Sequence, residues 1–155
     1  MRLTEMCPPV YVLKPGTDYQ AGIDGESINT ENCSHVAFLL QFGTLTGDAV
    51  LTVNSGASDG TKTTAETFYY RLASAAQGAA TADTFGAQAS SAGLTLTAAT
   101  YSNKLMVVEI PCSELTDGQP WLTMNFSAAA DALNVAVTAV LLGHRYPGYQ
   151  PPTSI

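Results

Sequence analysis

Regular alternation of apolar side chains between residues 34 and 55 constrains the fold more than any other feature of this chain. Apolar residues occupy every second position in each half of the stretch: Val36, Phe38, Leu40 and Phe42, then Ala49, Leu51 and Val53. A period of two places successive side chains on opposite faces of a sheet, so the stretch predicts two strands. The connector at 43–48 is short and holds two glycines, which predicts that the strands are antiparallel neighbours. Their shared apolar face requires a second layer to cover it.

Further segments with strand character follow along the chain. They are residues 10–13, 18–23, 65–72, 94–97, 105–110, 121–126 and 132–142. The inward side chains expected in the strands at 105–110 and 121–126 are Met106, Val108 and Ile110, then Leu122, Met124 and Phe126. The last strand is apolar on both faces, so we expect the fold or another subunit to cover both.

The segments between these strands predict turns and one long loop. Residues 26–32 are polar and turn-like, and residues 73–93 are small, uncharged and long enough for a functional loop. The pattern as a whole predicts an all-β fold, an antiparallel β-sandwich of jelly-roll-like form that covers residues 10–143 as a single domain.

Charge and hydropathy argue against two classes of partner. The net charge is −7, and the six basic residues are scattered, whereas binding to nucleic acid requires clustered lysines and arginines. The apolar runs are all shorter than the ~18 residues of a membrane span, and residues 1–9 lack the apolar core of a signal peptide. We therefore expect a protein made in a cytosol that contacts neither nucleic acid nor membrane.

Cysteine and histidine usage predicts neither a cofactor nor catalysis. Cys7, Cys33 and Cys112 are widely spaced and form no Cys-x-x-Cys pair, so no zinc or other cofactor is expected. Cys33 and His35 have two interpretations. They are either two metal ligands, or a half-buried thiol next to a histidine on a strand, and the second is favoured. A cysteine bridge between copies also remains open. Neither His35 nor His144 lies near a nucleophile motif, so the chain is not expected to be an enzyme.

Both ends of the chain are predicted to be extended arms, at residues 1–9 and 144–155. The second arm is rich in proline and aromatic residues, which is typical of a segment lying across a partner's surface, although a frayed terminus is the alternative. Trp121 is expected to point outward or into an interface. The candidate partner-binding residues are Trp121, Tyr146, Pro147, Tyr149 and Pro151.

The order of short motifs along the chain resembles that of a known family. The motifs are Ile23-Asp24, the Ala37–Val53 stretch, Tyr69-Tyr-Arg71, Asp83-Thr-Phe85, Val107-Val-Glu-Ile-Pro-Cys-Ser-Glu-Leu-Thr-Asp-Gly118, Trp121-Leu-Thr123 and His144-Arg-Tyr-Pro147. This series is similar to the small β-sandwich proteins encoded among the head genes of tailed bacteriophages. In that family a Val-Glu-Ile-x-x-Ser-Glu-Leu strand and an Arg-Tyr-Pro ending recur. The resemblance covers about residues 20–147.

The resemblance implies a non-enzymatic virion structural protein. Its expected role is a capsid decoration or cement protein, assembled in the bacterial host cytoplasm and located on the capsid exterior. Such proteins bind the outer surface of the major capsid protein shell, often as homo-trimers, and clamp adjacent subunits. The alternatives are another virion component, such as a head fibre base, tail or head–tail connector protein, or a carbohydrate-binding module for host attachment. In the latter, Tyr69, Trp121, Tyr146 and Tyr149 are the candidates for stacking on sugars.

Overall fold

Two antiparallel β-sheets make up the protein, whose computed structural model describes residues 7–143. The strands are β1 (Pro9–Leu13), β2 (Ile23–Asp24), β3 (Ile28–Asn29), β4 (His35–Leu45), β5 (Ala49–Gly56), β6 (Thr64–Ala65), β7 (Phe68–Leu72), β8 (Ala89–Ser91), β9 (Leu94–Leu96), β10 (Leu105–Pro111), β11 (Trp121–Phe126) and β12 (Leu133–Leu142). A short helix, α1 (Ala98–Tyr101), and a 3-10 turn (Cys112–Glu114) complete the regular structure of the described residues.

The strand order confirms the predicted jelly-roll-like sandwich. Both sheets have six strands, and the one with the longer strands, here called the larger sheet, runs β1-β12-β4-β10-β7-β8. The smaller runs β2-β11-β5-β6, with β3 also paired to β11 and β9 also paired to β5. Strands early and late in the chain therefore alternate across each sheet, which is the arrangement that a doubled Greek key produces. The short strands β7 and β8 extend the larger sheet beyond β10.

The prediction that β4 and β5 pair as a hairpin is wrong. β4 pairs with β10 and β12, whereas β5 pairs with β11, β6 and β9, so the two strands belong to opposite sheets. The three residues 46–48 connect them and reach about 10 Å when extended, which is the usual spacing between packed sheets. Thr46 donates its N–H to the Ala132 carbonyl, so the connector is anchored next to β12. Both strands have an apolar face, and these faces bury each other across the sandwich.

The core lies between the inward faces of the two sheets. All six inward residues predicted for β10 and β11 are fully buried: Met106, Val108, Ile110, Leu122, Met124 and Phe126. The alternating residues of β12 are buried as well, and Phe38, Leu40, Leu51 and Val53 join them from β4 and β5. The alternation read from the sequence therefore identifies the core correctly even where it fails to identify strand partners.

Several local features differ from the sequence predictions. Residues 28–29, predicted to be a polar turn, form the buried strand β3, and α1 was not predicted. The expected edge strand at 18–23 is reduced to β2 and a single bridge between Asp18 and Asn134. The loop at 73–93 is largely exposed, as expected, but it contains β8.

The chain ends are only partly described. β1 already begins at Pro9, and the Pro8 carbonyl accepts a hydrogen bond from the Leu141 N–H. The remainder of the two predicted arms, residues 1–6 and 144–155, lies outside the described residues.

Candidate interaction surface

The outward side of the larger sheet, formed mainly by β12, β4 and β10, is unusually apolar for a surface. Residues facing out from these strands are mostly half-buried, with Ala37 buried and Gln41 exposed, and the residues that alternate with them are buried. The registers align Thr138 with Leu39 and Val107 in one row, and Val140 with Ala37 and Glu109 in the next. The apolar members of this outer face are Ala37, Leu39, Leu105, Val107, Ala136, Val140 and Leu142.

This outer face carries little charge. Among the outward positions of β12, β4 and β10, only Glu109 is an acid, and His35 is the only group that can become a cation. Arg71 on β7 lies beside Val107, and Tyr11 on β1, at 61% exposure, lies beside Thr138. An apolar, weakly charged sheet face with polar residues at its borders has the composition of a protein-binding surface.

The outward side of the smaller sheet has the opposite character. Thr52, Asn54 and Asn125 form hydrogen bonds with one another there. Lys62 makes an ion pair with Asp24 at 2.6 Å, and Asn125 also donates to that carboxylate. Slight burial would raise the pKa of Asp24, but these hydrogen bonds outweigh it and lower the pKa below its usual value. The two faces of the sandwich are therefore chemically distinct, and the larger sheet presents the apolar one.

The sequence-predicted aromatic candidates do not meet in one place. Trp121 is half-buried at the start of β11, opposite Asn29 and Gly56, on the outward side of the smaller sheet. Tyr69 lies on the outward side of the larger sheet, and its hydroxyl donates to Glu114 Oε2 at 3.3 Å. These two rings therefore point away from opposite faces of the sandwich. Tyr146, Pro147, Tyr149 and Pro151 lie outside the described residues.

Two of the three cysteines meet at one end of the sandwich. Cys33 is not in β4, as the alternative of a Cys33–His35 metal site assumed, but in the turn before it, and its Sγ lies 3.1 Å from Cys112 Sγ. Both thiols line an open cleft of about 680 Å³. Within residues 7–143, no three histidine, cysteine, aspartate or glutamate side chains come close enough together to hold a metal ion.

A buried carboxylate lies behind Thr116 and Gln119, which line the same cleft. Glu66 is only 8% exposed and accepts hydrogen bonds from Ser55 Oγ at 2.5 Å and from the Thr116 N–H at 3.0 Å. The Gln119 side chain lies 2.8 Å from the same Ser55 hydroxyl. Burial would raise the pKa of Glu66, but the hydrogen bonds prevail and hold the pKa below its usual value. The cluster ties the connection after β10 to the smaller sheet.

Sequence reasoning missed most of these features because they join distant segments. Cys33 and Cys112 are 79 positions apart, and Glu66 and Thr116 are 50 apart. For the outer face a usable signal was present, because β12 carries Ala136, Val140 and Leu142 at outward positions in addition to its apolar inward positions.

Comparison of the chain with protein-family models, curated proteins and solved structures finds no match. Among the described residues, no helix has the length and apolar character that crossing a membrane requires.

Proposed function

We propose that this chain is a non-enzymatic virion structural protein of a tailed bacteriophage, a decoration protein that binds the outside of the major capsid protein shell and stabilises it. The observation that carries the proposal is the apolar, weakly charged outer face of the larger sheet. The order of motifs along the chain, which resembles that of phage head proteins, supports the same role.

The dimensions of the outer face suit a protein partner. Six strands about 4.8 Å apart, each about seven residues long, present a plane of roughly 600 Å². A standard protein–protein interface buries about 800 Å² on each partner. The sheet therefore supplies most of one interface, with the exposed Tyr11 of the edge strand β1 at its border. Because a shell offers many identical positions, a modest affinity at each contact adds up over the particle.

The proposal includes the oligomer and the place of assembly. A homo-trimer at local threefold positions of the capsid exterior, assembled in the host cytoplasm, is the arrangement that the family resemblance favours. The Pro-rich segment with Tyr146, Pro147, Tyr149 and Pro151 is proposed to contact the shell or a neighbouring copy. A head fibre base, tail or connector protein is the alternative, distinguished by copy number. The sugar-binding alternative is weakened because Trp121 and Tyr69 lie on opposite faces.

The decisive measurement is the abundance of this chain in purified virions relative to the major capsid protein. A ratio near one copy per capsid subunit is expected for shell decoration. A ratio of a few per hundred would move the protein to the tail or the portal vertex, and absence from the particle would overturn the proposal.

The surface itself is tested by charge substitutions with a matched control. Val140→Asp places a carboxylate in the middle of the outer face and is expected to weaken binding to undecorated shells about thirtyfold, about 2 kcal/mol. Thr138→Lys introduces a charge on the same face. Because position 138 is already polar, this substitution disturbs folding less than Val140→Asp does. Val50→Asp on the smaller sheet, where Val50 is 38% exposed, is expected to bind like the parent. Equal binding by all three variants would exclude the outer face.

A further inference from the structure

The two adjacent thiols are held together by the backbone rather than by chance. Cys112 directly follows β10 and Cys33 lies two residues before β4, and these strands pair up to Pro111 and His35. Beyond that last pair, the Cys112 N–H donates to the Ser34 carbonyl at 2.9 Å. The ladder thus places the two cysteines side by side, with 3.1 Å between their sulfur atoms. A disulfide bond is about 2.05 Å long, so closing it needs a sulfur displacement of about 1 Å, within reach of small side-chain rotations.

The pair is also chemically suited to oxidation. The two sulfur atoms lie within hydrogen-bonding distance, and this interaction lowers the pKa of Cys33 although burial opposes this, and raises the pKa of Cys112. The thiolate is the reactive form, so the lowered pKa favours Cys33 as the nucleophile of the pair. Cys33 is 7% exposed, whereas Cys112 is half-buried, and both line the open cleft through which a small oxidant reaches them.

We propose that Cys33 and Cys112 are a site of oxidative modification, at which a peroxide converts the two thiols into an intramolecular disulfide. In the first step, the Cys33 thiolate attacks hydrogen peroxide, forms a sulfenic acid and releases hydroxide. In the second, the Cys112 sulfur attacks the Cys33 sulfur, forms the S–S bond and displaces the oxygen as water. Two thiols and one peroxide therefore give one disulfide and two waters.

Closure of the bond would tie together two segments at this end of the sandwich. Cys112 begins the connection that leads from β10 in the larger sheet to β11 in the smaller sheet. Cys33 belongs to the turn whose Thr30 already binds the Pro120 carbonyl through its N–H and its hydroxyl. The bond would therefore fix both ends of the connection, residues 112–120, to the same turn.

The test is to treat the full-length protein with equimolar hydrogen peroxide, alkylate the remaining thiols and digest it without reduction. Cleavage before aspartate separates the three cysteines into peptides 1–17, 24–47 and 83–116, whereas trypsin would leave Cys7 and Cys33 together because Lys14 precedes a proline. The expected product is peptide 24–47 joined to peptide 83–116, lighter by two hydrogen atoms. Free thiols at both positions, or a bridge from Cys7 or between copies, would overturn the proposal.

Variants separate the bridge from general oxidation. Cys112→Ser is expected to accumulate a sulfenic acid at Cys33, which dimedone traps. The urea concentration at the midpoint of its unfolding is expected not to rise after peroxide treatment. Cys7→Ser is the matched control. It is expected to form the bridge, and its urea midpoint of unfolding is expected to rise as in the parent. Cys112 is half-buried. If the Cys112→Ser variant shows the same rise in the urea midpoint of unfolding after oxidation as the parent, the stabilisation does not come from this bond and the proposal fails.

Discussion

Glu66 is a buried acid whose carboxylate form is favoured by its surroundings. Ser55 and Thr116 donate to it, and the Ser55 hydroxyl also lies 2.8 Å from Gln119 Oε1, so Glu66 and Gln119 share one hydroxyl donor. These two donors favour the charged carboxylate, and loss of the charge weakens both hydrogen bonds together.

The Glu66→Gln substitution tests this cluster. At neutral pH it is expected to lower the free energy of unfolding by about 1–3 kcal/mol, because the donors lose a charged acceptor in a buried place. Chemical denaturation of both proteins measures the difference. Glu31→Gln, at an exposed position in the neighbouring turn, is the control and is expected to change the free energy little. A similar loss in both variants would refute the special role of Glu66.

Acid dependence follows from the direction of the pKa shifts. The folded-state pKa values of Glu66 and Asp24 lie below their ordinary values of 4.5 and 3.8. Their contribution to stability is therefore fully present above about pH 5 and is lost as pH falls through the folded pKa values. Unfolding free energy measured at pH values from about 6 to 3 is expected to fall less in Glu66→Gln than in the parent. Parallel curves would contradict the lowered pKa of Glu66.

The connector between β4 and β5 depends on a glycine. A Cβ added at Gly47 would lie 2.5 Å from the Asp131 backbone nitrogen, closer than real contacts allow. Gly47→Ala is expected to destabilise the fold by about 1–3 kcal/mol, because the backbone at 46–48 or 131 must shift. At Gly86 the nearest atom to an added Cβ is at 3.6 Å, so Gly86→Ala is the matched control with little expected effect. Urea unfolding of the two variants distinguishes these outcomes.

Strands were predictable where a local sequence pattern determines them. The predictions failed where pairing with a distant strand determines the structure. Inward residues of β10 and β11 follow from alternation alone, and all six are buried. The pairing partner of β5 does not follow from alternation, because a short connector with glycines can join two strands of a hairpin or two strands in opposite sheets. Strand β3 was missed because two residues carry no period; Ile28 is buried only through pairing with β11. The apolar outer face could be predicted for β12. Its extension over β4 and β10 could not, because it depends on which residues of the three strands pair.

The molecule has one core shared by both sheets, so we expect it to unfold as a single unit. Trp121 is the single tryptophan and reports on the smaller sheet, whereas far-ultraviolet circular dichroism reports on both sheets. The two signals are expected to give the same urea midpoint. Midpoints that differ would show that the smaller sheet opens separately from the larger one. Trp121→Phe, followed by circular dichroism, checks that the indole itself does not alter the transition.

The proposed disulfide would act at this whole-molecule scale. It would close a loop between residues 79 positions apart, and the chain-entropy relation then gives an upper limit of about 4.5 kcal/mol of stabilisation. A gain of this order would be a large fraction of the stability of a domain of this size.

The place of β12 in the larger sheet also bears on how the protein is made. β12 is the last described strand, yet it separates β1 from β4 and is the only strand that pairs with β1 among the described residues. A ribosome releases β1 first, and its partner β12 begins only after residues 14–132 have been made. Until then the amide groups of β1 must be satisfied by water or by a chaperone. The larger sheet is therefore completed only after translation has passed residue 142, and the pairing of β1 is a late event in the synthesis of each copy.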